Sequence, residues 1–100
     1  MPRREINTNN PQNVPMTVND DLYIIVNDDC KWCYSPDPNS VFGAPPTGFL
    51  AAGSYTATTP PTTYGPYRPI ATGSICYNAV ASGDCTCTEI TATGHSITVS

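Results

Sequence analysis

Charge is scarce in this chain. Twelve of its 100 residues are formally charged, four basic and eight acidic, for a net charge of −4. Lys31 is the only lysine, Arg3 and Arg4 stand together near the N-terminus, and Arg68 is isolated. These residues do not make a basic groove, which argues against nucleic acid or an anionic membrane surface as the main partner. Long apolar runs are missing as well. The run Leu22–Val26 is far short of the ~20 residues that cross a bilayer as a helix, so no membrane insertion is expected. Eleven prolines and seven glycines are spread through the sequence, and Leu, Lys, Glu, Gln and Met are rare. A long helix has neither an uninterrupted stretch nor the residues that favour it. No paired carboxylates, phosphate-cradling loop or nucleophile–base pair is legible, and the chain is not read as an enzyme.

What is plentiful is Thr, Ser, Val, Ile and Tyr, the residues of pleated, half-buried surfaces. The length fits one domain, in which folding removes only about 60–65% of the unfolded surface from water. Cross-links would then supply a large share of the stability. Residues 1–14 are polar, Asn-rich and without apolar periodicity, and read as a flexible arm, with 15–100 as a single domain. Pro15–Val18 reads as a short edge strand. Val18-Asn19-Asp20-Asp21 recurs as Val26-Asn27-Asp28-Asp29, and these Asn-Asp-Asp groups read as the turns bounding a strand, Leu22–Val26, covered on both faces. Ser35–Ser40 and Ala44–Gly48 read as loops, Val41-Phe42 as a short strand, and Ser54-Tyr55-Thr56 as the centre of another. A one-turn helix fits Phe49–Ala52. Thr58–Pro69, with Pro60, Pro61, Pro66 and Pro69, reads as extended, polyproline-like and exposed. Gly73–Val80 alternates, with Ile75, Tyr77 and Ala79 on one face and Cys76, Asn78 and Val80 on the other. A turn at Ala81–Asp84, a strand at Cys85–Ala92 and a last strand from His95 follow. Six to eight short strands punctuated by Gly and Pro predict an all-β, Greek-key sandwich.

The cysteines are the densest chemical signal. Cys30-Lys31-Trp32-Cys33 is a C-x-x-C, Cys85-Thr86-Cys87 a C-x-C, and Cys76 lies between them. One reading is disulfide stapling, for example Cys30 with Cys33 and Cys76 with Cys85 or Cys87, leaving one free thiol. The alternatives are a metal or redox protein, with structural zinc held by Cys30, Cys33, Cys85 and Cys87, and free buried thiols. Thioredoxin-type chemistry is disfavoured, because Tyr34-Ser35-Pro36-Asp37-Pro38 cannot form the helix that activates the first thiol. No cofactor is otherwise expected. The thiol-rich, lysine-poor composition favours an extracytoplasmic setting, yet Met1–Asn10 has no apolar segment of signal-peptide type.

His95 reads as a half-buried histidine at a strand start. The aspartates at 20, 21, 28 and 29 read as turn residues rather than as one calcium site, because the two clusters would lie ~20–25 Å apart at opposite ends of a strand. The segment Tyr64-Gly65-Pro66-Tyr67-Arg68-Pro69 is the candidate binding loop. Tyr64, Tyr67 and Arg68 offer rings and a cation to a sugar ring or a protein partner.

Gly73-x-Ile75-x-Tyr77-x-Ala79 and Gly94-His95-Ser96-Ile97-Thr98-Val99 resemble the strand leading into the copper loop and the closing strand of the cupredoxin-like β-sandwich family. The resemblance covers about a quarter of the chain. It implies that fold without the copper site, since Ala79 stands where the family has its ligand cysteine and no histidine follows within a few residues. An immunoglobulin-like topology is the other sandwich these residues allow. The expected role is a small non-enzymatic binding or structural module.

Overall fold

In a computed structural model of the chain, residues 3–35, 39–43, 49–80 and 95–100 are described. They form eight strands and one helical turn: β1 (Arg3–Asn7), β2 (Val14–Met16), β3 (Asp21–Val26), β4 (Cys30–Ser35), α1 (Asn39–Phe42), β5 (Gly53–Tyr55), β6 (Thr62–Tyr67), β7 (Gly73–Val80) and β8 (His95–Val99). The expected all-β sandwich is what forms. One layer is a three-stranded sheet in the order β1-β3-β6, and the other has five strands in the order β2-β8-β7-β4-β5. β1 runs parallel to β3 and β2 parallel to β8, while the remaining pairs are antiparallel.

Register decides which side chains face inward. In the larger sheet Val14 and Ile75 both lie opposite Ile97, Trp32 lies opposite Ala79, and Tyr34 opposite Tyr77. Cross-strand partners share a face, so these residues point together at the other layer. The smaller sheet answers with Ile6, Leu22 and Ile24, all buried. Trp32 and Tyr77 are the largest fully buried side chains, with ring centroids 5.2 Å apart. Each of the smaller buried apolar side chains contributes about 1.5–3 kcal/mol relative to exposure. One end of the core is closed by Val41, Phe42, Phe49 and Leu50, and the Leu50 carbonyl accepts the Trp32 indole N–H at 3.1 Å.

Several expectations are corrected. Within the flexible arm expected over 1–14, Arg3–Asn7 is instead a strand of the sandwich and Val14 begins another. Arg3–Asn7 pairs residue for residue with Asp21–Ile25, and Ile6 is 2% exposed. A strand with one buried apolar residue leaves no periodicity to read, and its pairing partner is remote in sequence. The edge strand foreseen at Pro15–Val18 is β2, which starts one residue earlier and ends two residues earlier. β3 is not covered equally on both faces. Leu22, Ile24 and Val26 are buried while Tyr23 and Ile25 are half-buried, because the outer face of the smaller sheet carries only partial cover such as the Arg3 guanidinium over the Tyr23 ring.

Val41-Phe42 is helical rather than extended. Adjacent strand residues would face opposite ways, whereas one helical turn buries both, and Gly43 (φ 88°) ends it in the left-handed region that glycine supplies. Phe49–Ala52 does not form the helical turn that its residues allowed. Thr58–Pro69 contains a paired strand, β6, instead of an exposed polyproline-like loop. Prolines are tolerated there because β6 is an edge strand, and because three residue steps of β6 match two of β3 between Leu22 and Ile24. Gly65 lies at this bulge with φ 122°, where a Cβ would approach the Leu22 carbonyl oxygen to 2.7 Å. The loops at 36–38 and 44–48, the turn at 81–84 and the strand at 85–92 lie outside the described residues.

The placement of β1 has a direct test. Replacing Ile6 with Ala is expected to lower stability by about 2–4 kcal/mol, the usual cost of truncating a buried isoleucine. Urea unfolding followed by the fluorescence of the single tryptophan measures it, and a change too small to detect would restore the loose arm.

Candidate functional site

A two-layer sandwich has two open sides, where the edge strands of one sheet face those of the other. Here β5 and β6 edge one side and β1 and β2 the other. The β5–β6 side is filled by tyrosines. Tyr64 and Tyr67 sit on β6 opposite Ile24 and Leu22, and Tyr55 sits on β5 opposite Cys30, so all three point between the layers. Tyr34 joins them from β4. All four are half-buried and pack against the core. The Tyr55 and Tyr64 rings meet edge to face at 5.6 Å, and Phe49 links Tyr34 (5.8 Å) and Tyr67 (5.7 Å) to the Trp32 ring (5.6 Å). Quadrupolar rings favour these tilted arrangements, which add about 0.5–1.5 kcal/mol per pair beyond burial. The Tyr55 hydroxyl donates to the Ala51 carbonyl. Burial first, and the neighbouring phenols next, push the Tyr55 and Tyr67 hydroxyls above their ordinary range.

The candidate binding loop is thereby corrected. Tyr64 and Tyr67 are strand residues turned back onto the sandwich, not loop residues held out in solvent. Arg68, just beyond the strand, pairs with Asp21 at 3.0 Å. The pattern pointed to Tyr64, Tyr67 and Arg68 but missed Tyr34 and Tyr55, whose alternation with Trp32 and Ser54 was the available signal. Ile70, 68% exposed, stands two residues past Arg68.

The cysteines are not brought together in the way their spacing suggested. β4 is extended, so Cys30 and Cys33, three residues apart, fall on opposite faces and about 10 Å apart along the strand. A disulfide needs Cα atoms within ~7 Å, and Cys30 is a free buried thiol. A Cys30–Cys33 bridge is excluded on that ground, and the same geometry prevents the two from sharing one zinc ion. Cys76 is also free and buried, so it forms no bridge to Cys85 or Cys87. Cys33 is disulfide-bonded. Cys85 and Cys87 lie outside the described residues. Burial pushes the Cys30 thiol up, and a hydrogen bond with Thr8 only partly offsets this, which leaves a poor nucleophile. Among the described residues no three His, Cys, Asp or Glu side chains gather as a metal-ligand set, and no helix is long and apolar enough to cross a membrane.

His95 is half-buried and lies 5.8 Å from the Tyr77 ring, centroid to centroid. The aspartates act in turns and strand junctions. Asp20 accepts the Thr17 N–H at 2.9 Å and faces Arg4 at 3.4 Å, and that backbone hydrogen bond, more than the arginine, holds its carboxyl below the usual range. Asp29 accepts the Ala57 N–H at 2.7 Å. With this geometry in hand, comparison with known proteins adds nothing further: no protein-family model, curated protein or solved structure matches the chain.

Tyr77 ties the core to the β1–β2 side. Its hydroxyl donates to the Gln12 carbonyl and accepts the Gln12 N–H at 3.0 Å, and burial pushes its pKa up to about 12. A phenol raised in the folded state stabilises fully below its unfolded value of about 10 and loses that contribution as pH climbs toward the folded value. Stability is therefore expected to fall between pH 10 and about 12. Tyr77→Phe should flatten that fall and lower stability at neutral pH, since two Gln12 backbone groups lose their partner. Urea unfolding at stepped pH measures both effects, and an unchanged alkaline slope in the variant would contradict the assignment.

Proposed function

We propose that this chain is a small non-enzymatic binding or structural module, with a cupredoxin-like sandwich as scaffold and no copper site. The tyrosine-filled side between β5 and β6 carries the reading. Four phenolic rings pack on the core while staying partly exposed, and Arg68 and the exposed Ile70 follow Tyr67 in the chain. Aromatic side chains held this rigidly lose little entropy on contact, and their polar tips keep the surface wet until a ligand arrives. A sugar ring or a loop of a protein partner has the complementary shape and chemistry. The scaffold reading is supported by the two segments that carry the family resemblance. They are the adjacent strands β7 and β8, with Ile75 opposite Ile97 and Tyr77 opposite His95.

The test is a titration of the isotopically labelled protein with a panel of soluble oligosaccharides, followed by amide chemical shifts. Saturable changes around Tyr34, Tyr55, Tyr64 and Tyr67 are expected, with affinity about tenfold weaker in Tyr64→Ala, equivalent to ~1.4 kcal/mol. No response to any sugar would remove carbohydrate as the ligand. Binding that Tyr64→Ala leaves unaltered would remove this face as the site.

A further inference from the structure

The tyrosine side also holds a chemistry that needs no bound ligand. Tyr55 belongs to β5, an edge of the five-stranded sheet, and Tyr64 to β6, an edge of the three-stranded sheet. Their rings meet across the open side with centroids 5.6 Å apart and planes at 71°. An edge-to-face contact at that distance sets the rim carbons of one ring against the other ring. Among the described residues this is the only ring contact made by two tyrosines. Tyr34 and Tyr67 contact Phe49, Tyr77 contacts Trp32 and His95, and the Tyr23 ring lies under the Arg3 guanidinium.

A phenol differs from a phenyl ring in how readily it gives up one electron together with one proton. Two phenoxyl radicals held in contact combine at the ring carbons ortho to oxygen. Phe49 has no such reaction to offer its tyrosine neighbours. Trp32 and Tyr77 are oxidisable, but at 2% and 0% exposure they are shut away from any bulky oxidant. Tyr55 and Tyr64 are both half-buried. They have enough surface to meet an oxidant and enough packing to stay together. Each ring therefore sees the other at a high effective concentration, and coupling within one molecule outruns coupling between molecules in dilute solution. A competitor for the Tyr55 radical stands opposite it on β4, the free buried thiol of Cys30.

We infer that Tyr55 and Tyr64 form an oxidative cross-linking site, at which a peroxidase-type oxidant consuming hydrogen peroxide joins β5 to β6 through a dityrosine bond. Each phenol surrenders one electron and its hydroxyl proton. The two radicals form a carbon–carbon bond ortho to the oxygens, and the hydrogens on those carbons move to the oxygens and restore both phenols. The two electrons and two protons convert one hydrogen peroxide to two waters. No ladder of hydrogen bonds joins β5 to β6, since they lie in different sheets, so the new bond staples the two layers. The inference stands apart from the binding reading, because the bond forms with or without a ligand on this face.

The test is treatment of the full chain, in dilute solution, with a haem peroxidase and limiting hydrogen peroxide, followed by dityrosine fluorescence, intact mass and peptide mapping. A fluorescent monomer lighter by two hydrogens is expected, with the bond mapped to Tyr55 and Tyr64. Its melting temperature should rise by about 10 °C, as closing a short loop in the unfolded chain does. Tyr55→Phe and Tyr64→Phe keep both rings and should each abolish the monomeric product, while Tyr34→Phe should leave its yield unchanged. Circular dichroism checks that all three variants remain folded. No monomeric dityrosine, a bond mapped to another pair, loss of a free thiol in its place, or undiminished yield in either of the first two variants would overturn the inference. The oligosaccharide titration uses untreated protein, so the failure of one reading leaves the other standing.

Discussion

The structure depends on sealing the two sides at which a small β-sandwich is open. Facing sheets bury their inner surfaces against one another only where strands overlap, and at each side a pair of edge strands leaves the core next to water. In the eight short strands of the described residues there is little interior to spare, so the residues at these sides decide whether Trp32, Tyr77 and the aliphatic cluster around Ile24 and Ile97 stay dry. Both sides are closed by side chains that are apolar on the body and polar at the tip. This combination lets a ring touch the core and still finish in solvent or on a backbone carbonyl.

The two sides solve this differently, and the difference gives them distinct surface chemistries. Between β5 and β6 the seal is a cluster of phenols linked through Phe49 to the central indole. Between β1 and β2 a single fully buried tyrosine, Tyr77, reaches through to fasten the Gln12 backbone, and the outer layer is left to arginines and amides. An aromatic face and an ion-paired polar edge thus arise at opposite sides of one fold from the same need to close it. The exposed ion pairs add little to stability by themselves. Their effect is to set the positions of the guanidinium groups.

Edge strands also expose unpaired backbone groups, and the sequence limits their length and pairing capacity. β2 carries Pro15, β6 carries Pro66 within a bulge, and β5 has three residues. β1 begins with three charged residues in a row. Each device makes it harder for another chain to extend the sheet. The prolines that read as a loop in sequence are in this sense strand residues placed where a missing N–H costs no ladder bond.

Much of this was legible from the residues alone, and the division has a physical basis. The scarcity of helix formers, the alternation of Gly73–Val80 and the apolar run at Leu22–Val26 determined an all-β sandwich and most of its inner face, because burial on a pleated layer imposes a local period of two. The same reading marked Tyr64 and Tyr67 as notable. What it could not reach depends on partners distant along the chain. The recruitment of Arg3–Asn7 rests on backbone pairing with β3, the separation of Cys30 from Cys33 on the strand being extended, and the gathering of Tyr34 and Tyr55 with Tyr64 and Tyr67 on two sheets being stacked. Composition and spacing determined which elements form. Only the tertiary structure decided which edges face each other, because hydrogen-bond ladders and sheet packing join segments whose local sequences carry no record of one another.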